Sequence, residues 1–346
     1  MNLQIASLLS QDGLTNGAIY ALLALCIVLV FTVTRVLLIP QGEFVAYGAL
    51  TLASIQAGQR SAVVWLLVGL CAASAILDLV QNLRGGARAP KLRWRFAATL
   101  IYPLVLLLLV YRLPLDELAM GWQIALTLAL LVPLGPLLYR LVYQPIATAP
   151  SLVLLIVSIA LHVSMVGFGL LVFGPGGAST TPLIDETLVF GTIRIKAQAV
   201  CVIVVALVLI TSLYVLFDRT LYGKALRAAA MNRMGARLMG ISPVLAGKAT
   251  FFLAALIGVL SGVLIAPMTT IYYDSGFIIS LKGFVGSIIG GLVSYPIAAL
   301  GALLVGLIEA FSAFFASGYK EIIVFTLIIP VLLWRSLTSH ALEDEE

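Results

Sequence analysis

Eleven apolar runs recur from one end of this chain to the other, at 14–34, 42–58, 61–80, 95–113, 119–141, 150–173, 197–217, 247–270, 277–294, 297–316 and 321–334. Within hydrocarbon there is no water to satisfy backbone N–H and C=O groups, so only helices and closed barrels can span it. Barrel strands alternate apolar and polar residues, whereas these runs are continuous. Many reach the roughly 17–25 residues that a crossing helix needs. The expected fold is therefore an all-α polytopic membrane protein. Composition agrees: charged residues are 10% of the 346 and mean hydropathy is +1.14, against about 25% charged residues in soluble domains. No polar connection is long enough for a separate soluble domain, so 1–346 is read as one transmembrane unit. Segments 42–58 and 277–294 are short or glycine-rich and are the best candidates for broken or re-entrant helices, tolerated where protein or a water path surrounds them.

Basic residues orient the chain. The connection 81–95, QNLRGGARAPKLRWR, carries Arg84, Arg88, Lys91, Arg93 and Arg95 with no acid. The connection 218–248 carries six Lys/Arg against Asp218 alone. With Arg35, Arg140 and Arg335, fourteen of the twenty basic residues fall on one side if the segments alternate. The positive-inside rule makes that side cytoplasmic. The N-terminus is then outside, 174–196 is an external loop, and the C-terminal ALEDEE is cytoplasmic. MNLQIASLLSQDGLTNG lacks a basic start and a small-residue cleavage site, and reads as a short mature tail.

Several kinds of chemistry are disfavoured by the residues. Gly247-Lys248-Ala249-Thr250 imitates the end of a phosphate-binding loop, but Ser242 stands at the first glycine position and Ala249 at the hydroxyl position. Cys26, Cys71 and Cys201 all lie in apolar runs and read as inert thiols. His162 and His340 are too few for a histidine-rich metal site. No nucleophile–base set stands out, so the chain reads as a non-enzyme with no cofactor or metal of its own.

Glu43, Asp274, Lys282 and Glu309 are ionisable residues at or within apolar runs, where such groups are expensive and often functional. One reading places Gln41, Gly42 and Glu43, beside Pro40, and Lys282, Gly286, Gly290 and Glu309 along a translocation path. The other makes Lys282 a structural ion pair with Glu309 or Glu43. Likewise the glycines of KGFVGSIIGGLVSYP either serve close helix packing or form a kinked element stopped by Pro296.

The segment YGKALRAAAMNRMGARLMGIS, 222–242, interrupts the apolar pattern with Lys224, Arg227, Arg233 and Arg237. Asn232 is placed to cap a second short helix ending at Gly240. On that helix Met234 and Leu238 share one face, and Arg233 and Arg237 an adjoining one. Anionic lipid would attract such a piece. Nucleic acid would need more basic residues and stacking aromatics. The apolar stripe suits a groove on a cytoplasmic protein.

These residues resemble a known family, the LivH-type permease subunits of ABC importers for branched-chain amino acids. The resemblance is carried by NGAIYALLAL (16–25), IPQGEFVAYGA (39–49), YQP (143–145), GKALRAAAMNRMGARLMGIS (223–242), SLKGFVGSIIGGLVSYPIAALGALLVGLIEA (280–310) and YKEIIVFTLIIPVLL (319–333). It implies a multi-pass protein of the bacterial inner membrane, partnered by a second, LivM-type permease, two cytoplasmic ATPases that bind ATP-Mg, and a periplasmic solute-binding protein. It also implies that 218–246 couples to the ATPases, through Arg227, Asn232, Arg233, Met234, Arg237, Leu238 and Gly240. Gln41 departs from the family's usual histidine. Residues 60–115 look like an inserted helical hairpin added to nine family-type segments, and RSLTSHALEDEE replaces the family's usual end. The resemblance therefore extends to solutes beyond branched-chain amino acids, such as urea, amides, and aromatic or short organic acids. The competing reading is a self-sufficient secondary transporter or channel, with Glu43, Asp274 or Glu309 coupling ions.

Overall fold

The computed structural model describes residues 3–85, 90–190, 193–333 and 337. The first helix, α1 (Leu3–Thr34), is apolar on every face through most of its length, and such a helix belongs in the middle of a bundle. It sits there: 89% of its most apolar window is buried. Arg35, at φ 63°, and Pro40 then break the chain before α2 (Gln41–Gln56). All of α2 except Ser54 and Gln56 is buried, although it is only 16 residues long.

Two helices, α3 (Val63–Gly85) and α4 (Pro90–Arg112), form an antiparallel hairpin. At its open end the indole of Trp65 donates to the Tyr111 hydroxyl at 3.3 Å, and Arg60 lies 5.0 Å over the Tyr111 ring. Arg140 holds the hairpin to the bundle by donating to Ser74 at 2.8 Å and pairing with Asp78. The basic side chains of 81–95 fall outside the described residues, as do Arg335, His340 and the ALEDEE tail.

Next come α5 (Met120–Leu131) and α6 (Leu134–Leu138), separated at Pro133, with a wider turn through Tyr143 that completes one span, Met120–Ile146. Proline lacks the N–H that a helix interior requires, which accounts for the break. α7 (Ser151–Phe173) precedes the connection 174–196. The all-α class holds for the spans, and that connection adds an antiparallel ribbon of β1 (Thr187–Phe190) and β2 (Ile193–Lys196), which the apolar runs did not indicate. Alternating residues in LVFGTIRIK, either side of a glycine, favour this short hairpin. α8 (Ala197–Arg219) follows, then the short α9 (Leu221–Met231) and α10 (Arg233–Leu238), the long α11 (Pro243–Ile265), α12 (Ser275–Ile289), α13 (Tyr295–Phe315) and α14 (Lys320–Thr326).

α13 runs antiparallel along α1, with Gly13 and Gly17 against Leu307 and Leu303. A Cβ on Gly17 would stand 2.9 Å from the Leu303 Cα, so only small residues permit this approach. α12 returns against α13 in the same way.

Among the described residues, seven helices are long and apolar enough to cross a membrane: those containing α1, α3, α5–α6, α7, α8, α11 and α13. The other apolar runs fall on shorter helices. Thr99–Arg112 and Ser275–Ile289 are too short by that measure, α2 has 16 residues and α14 has 7. Pro296 does not stop α12 as expected. α12 ends at Gly290, with Gly291 and Leu292 at φ 66° and 59°, and Pro296 lies in the first turn of α13, where its missing N–H costs nothing.

Candidate functional site

The segment 218–246 is built by local rules. Thr220 Oγ1 accepts from the Gly223 amide at 3.0 Å and starts α9. Asn232 Oδ1 accepts from the Gly235 amide at 2.9 Å and starts α10. α10 closes with paired bonds from Gly240 N to Arg237 O at 3.0 Å and from Ile241 N to Ala236 O at 2.9 Å, with Gly240 at φ 80°. This is a Schellman close, which needs a residue at ease with positive φ. One side of the pair is buried: Leu226, Ala229 and Ala236 pack with Leu29, Val33 and Phe217. The other side is bare, with Met234 68% and Leu238 83% exposed, flanked by exposed Met231 and Met239. Arg227 Nη1 stands 3.7 Å from Asp218 Oδ1. Arg237 and Met234 line a cavity of about 260 Å³ with Tyr139 and Tyr143. The side chain of Arg233 lies outside the described residues.

The candidate path residues separate into two clusters and a packing seam. In the first cluster, the start of α2 lies against α12, α11 and α7. Gly42 faces the Gly276 carbonyl so closely that a side chain would collide with it. Gln41 Nε2 donates to the Ala254 carbonyl at 3.0 Å, and its Oε1 has no partner. Glu43 is fully buried, and its one close polar neighbour is His162, whose Nδ1 lies 3.0 Å from Oε1. No hydrogen bond is completed there, and both carboxylate oxygens stay without one. The His162 ring stacks on Phe277, with centroids 4.6 Å apart and planes at 26°.

In the second cluster, Lys282 Nζ donates to Glu309 Oε1 at 2.5 Å and to Glu321 Oε1 at 3.2 Å. The Tyr20 hydroxyl donates to Glu309 Oε2 at 2.7 Å. Of the two partners open to Lys282, the structure selects Glu309; Glu43 belongs to the other cluster. Gly286 and Gly290 face Ala302 and Ala298 of α13 and form the seam between these helices. Asp274 sits at the head of α12 without capping it through its side chain.

Three residues of these clusters were not singled out from sequence: Tyr20, Glu321 and, as a partner of Glu43, His162. The one available signal was a histidine inside an apolar run. In front of His162 opens a cavity of about 390 Å³, bounded by α1, the 37–39 link, α7 and α12. Among the described residues no group of three or more His, Cys, Asp or Glu could hold a metal ion. Cys26 and Cys71 are buried and Cys201 half-buried, all as free thiols.

Comparison with known proteins adds to this geometry. A family model described as branched-chain amino acid transport system / permease component matches residues 96–332. The chain is 29% identical over 203 residues to BraD of Pseudomonas aeruginosa, a high-affinity branched-chain amino acid transport system permease protein, covering 57% of this chain and 66% of that one. It is 27% identical over 203 residues to LivH of Escherichia coli strain K12, which carries the same description, covering 56% and 65%. A probable branched-chain amino acid transport permease protein, LivH of Methanocaldococcus jannaschii, is 28% identical over 168 residues, 45% of this chain and 52% of that one. The aligned part thus spans just under two thirds of the first relatives' own length. No solved structure matches the chain.

Proposed function

Because the chain belongs to the branched-chain amino acid transport system permease family, we propose that it is the membrane-spanning subunit of an ATP-binding-cassette importer in a bacterial inner membrane. With a second permease it forms the path for amino acids or related small organic solutes delivered by a periplasmic binding protein. Two cytoplasmic ATPases hydrolyse ATP-Mg, and this chain contributes no catalytic group.

The observation that carries this reading is the exposed Met231, Met234, Leu238 and Met239 stripe on a rigidly capped helix pair. A soluble surface gains nothing by displaying four such side chains together, and an apolar groove on a partner would bury them. α8 separates this stripe from the β1–β2 ribbon by 23 helical residues, or about 35 Å at the usual rise, a membrane thickness. That separation supports an orientation with the basic 218–246 segment in the cytoplasm, the ribbon and N-terminus outside, and the C-terminus inside. The hairpin α3–α4 is then an added element, of which the family match takes in only the later part of α4.

Purification of the full chain from its own membrane should co-isolate two ATPase subunits and a second permease. Transport by the chain alone in liposomes would overturn the importer reading in favour of a secondary transporter. Met234→Asp with Leu238→Asp should abolish uptake while leaving membrane insertion intact, because both positions are exposed. Normal transport-coupled ATP hydrolysis in that variant would contradict the docking role.

A further inference from the structure

We propose that the cavity where α1 and α8 end, beside α9 and the turn into α13, is a site for the phosphate headgroup of an anionic membrane phospholipid, held by Arg35 and Arg227. The site rests on the membrane-spanning fold alone, and only its assignment to the cytoplasmic leaflet rests on the orientation proposed above.

The cavity measures about 460 Å³. Its back wall is the stacked pair Phe217 and Tyr295, with centroids 5.9 Å apart and planes at 19°. The Thr32 hydroxyl donates to the Leu29 carbonyl at 3.0 Å, so the Tyr295 hydroxyl, 3.3 Å away, is the donor of that pair. The two hydroxyls on the wall are thus occupied with each other, and the free donors are the guanidiniums of Arg35 and Arg227.

Neither guanidinium is satisfied by the protein. Arg35 enters no ion pair and no side-chain hydrogen bond among the described residues. Arg227 stands 3.7 Å from Asp218, which Arg219 approaches at the same distance, too far in either case for a hydrogen bond. Among the described residues no Asp or Glu lines the cavity. Arginine keeps its charge in proteins, so the positive sign of the site depends on no proton. Its planar fork matches phosphate oxygens two at a time.

Position selects a lipid over a soluble anion. The cavity lies where three spans begin or end, at the level of the headgroups, and its rim includes Val293, which is 71% exposed. An apolar rim offers a soluble anion nothing, whereas the glycerol and first chain carbons of a lipid would cover it. Basic pockets between spanning helices take anionic headgroups in this way. The two non-glycine residues with positive φ among those described, Arg35 at 63° and Leu292 at 59°, both line this cavity, and such backbone concentrates at ligand sites. A lipid held there would tie α9 to the end of α1 and so steady the segment assigned above to ATPase docking.

The test treats the purified full-length chain in neutral detergent with phenylglyoxal, an arginine reagent, and maps the labelled peptides. Phosphatidylglycerol should protect Arg35 and Arg227 together, at a concentration at least about tenfold below that needed of phosphatidylcholine. Arg219, with its side chain 79% exposed, should stay labelled. Arg227→Gln should weaken the protection of Arg35 by about tenfold, since both act on one headgroup. Failure to protect both arginines, equal protection by phosphatidylcholine, or unchanged protection of Arg35 in R227Q would overturn the proposal. So would equal loss of labelling at Arg219, the mark of diffuse attraction to a basic surface, or equal protection by glycerol phosphate, the mark of a soluble-anion site. The lipid series on the unaltered chain decides should R227Q fail to fold. Because no partner is needed, failure here leaves the importer reading standing, and missing ATPase subunits on purification would leave this site standing.

Discussion

Replacing Lys282 with methionine should destabilise the protein more than replacing either of its neighbours in the same network. Lys282 is the only cation in direct contact with Glu309 among the described residues, and it also reaches Glu321. Its side chain is 6% exposed and that of Glu309 is 11%. Methionine fills similar volume but leaves Glu309 as a buried carboxylate held by Tyr20 alone. Breaking a buried pair from one side costs about 3–5 kcal/mol, mostly because the other charge is left uncompensated. Glu309→Gln should cost less, about 2 kcal/mol, because Lys282 keeps Glu321 at 3.2 Å and the Glu321 side chain is 37% exposed. Tyr20→Phe removes one bond to a charged acceptor, about 1.5–3 kcal/mol. The double variant K282M/E309L should recover most of the single losses, since a buried pair replaced whole by hydrocarbon is often nearly neutral. Reversible unfolding in mixed micelles, followed by circular dichroism, measures all four. The reasoning fails if E309Q costs as much as K282M, or if the double variant loses the sum of the singles.

Two further substitutions test packing and capping. Gly42→Ala should destabilise by about 1–3 kcal/mol, because its methyl group meets the Gly276 backbone carbonyl and neither helix can yield cheaply; Gly167→Ala, with open space around it, should be neutral or gain about 0.5–1 kcal/mol in the same assay. Asn232→Ala should remove the α10 cap at a local cost of about 1 kcal/mol, read as faster hydrogen exchange at the Gly235 amide with protection in α11 unchanged.

How much of this was legible depended on the range of the interaction responsible. The caps at Asn232 and Gly240 could be read because a helix end is decided by residues within one turn. The seam residues Gly286 and Gly290 were visible as small residues four apart, although only the Ala298 and Ala302 contacts distinguish packing from a pathway. The β1–β2 ribbon was missed because eight residues of weak alternation count for little beside spans of twenty. Pro296, read in one of two alternatives as a stop after 277–294, instead opens α13, since a proline can follow one helix or open the next and the spacing fits both.

The apolar runs by themselves determined the solvent and the helical class, because hydrocarbon forces every backbone group into local bonds whatever the tertiary arrangement. Which buried charge meets which could not be determined that way. Glu43 and His162 lie 119 positions apart, and Tyr20 and Glu309 are separated by 289. Their pairing depends on how α1, α2, α7, α12 and α13 pack, and apolar helices of similar composition give almost no information about which neighbour each will choose. The tertiary structure made that choice through small residues that set the distance between helices, and it thereby assigned Lys282 to Glu309 and placed Glu43 behind a histidine at the edge of a cavity.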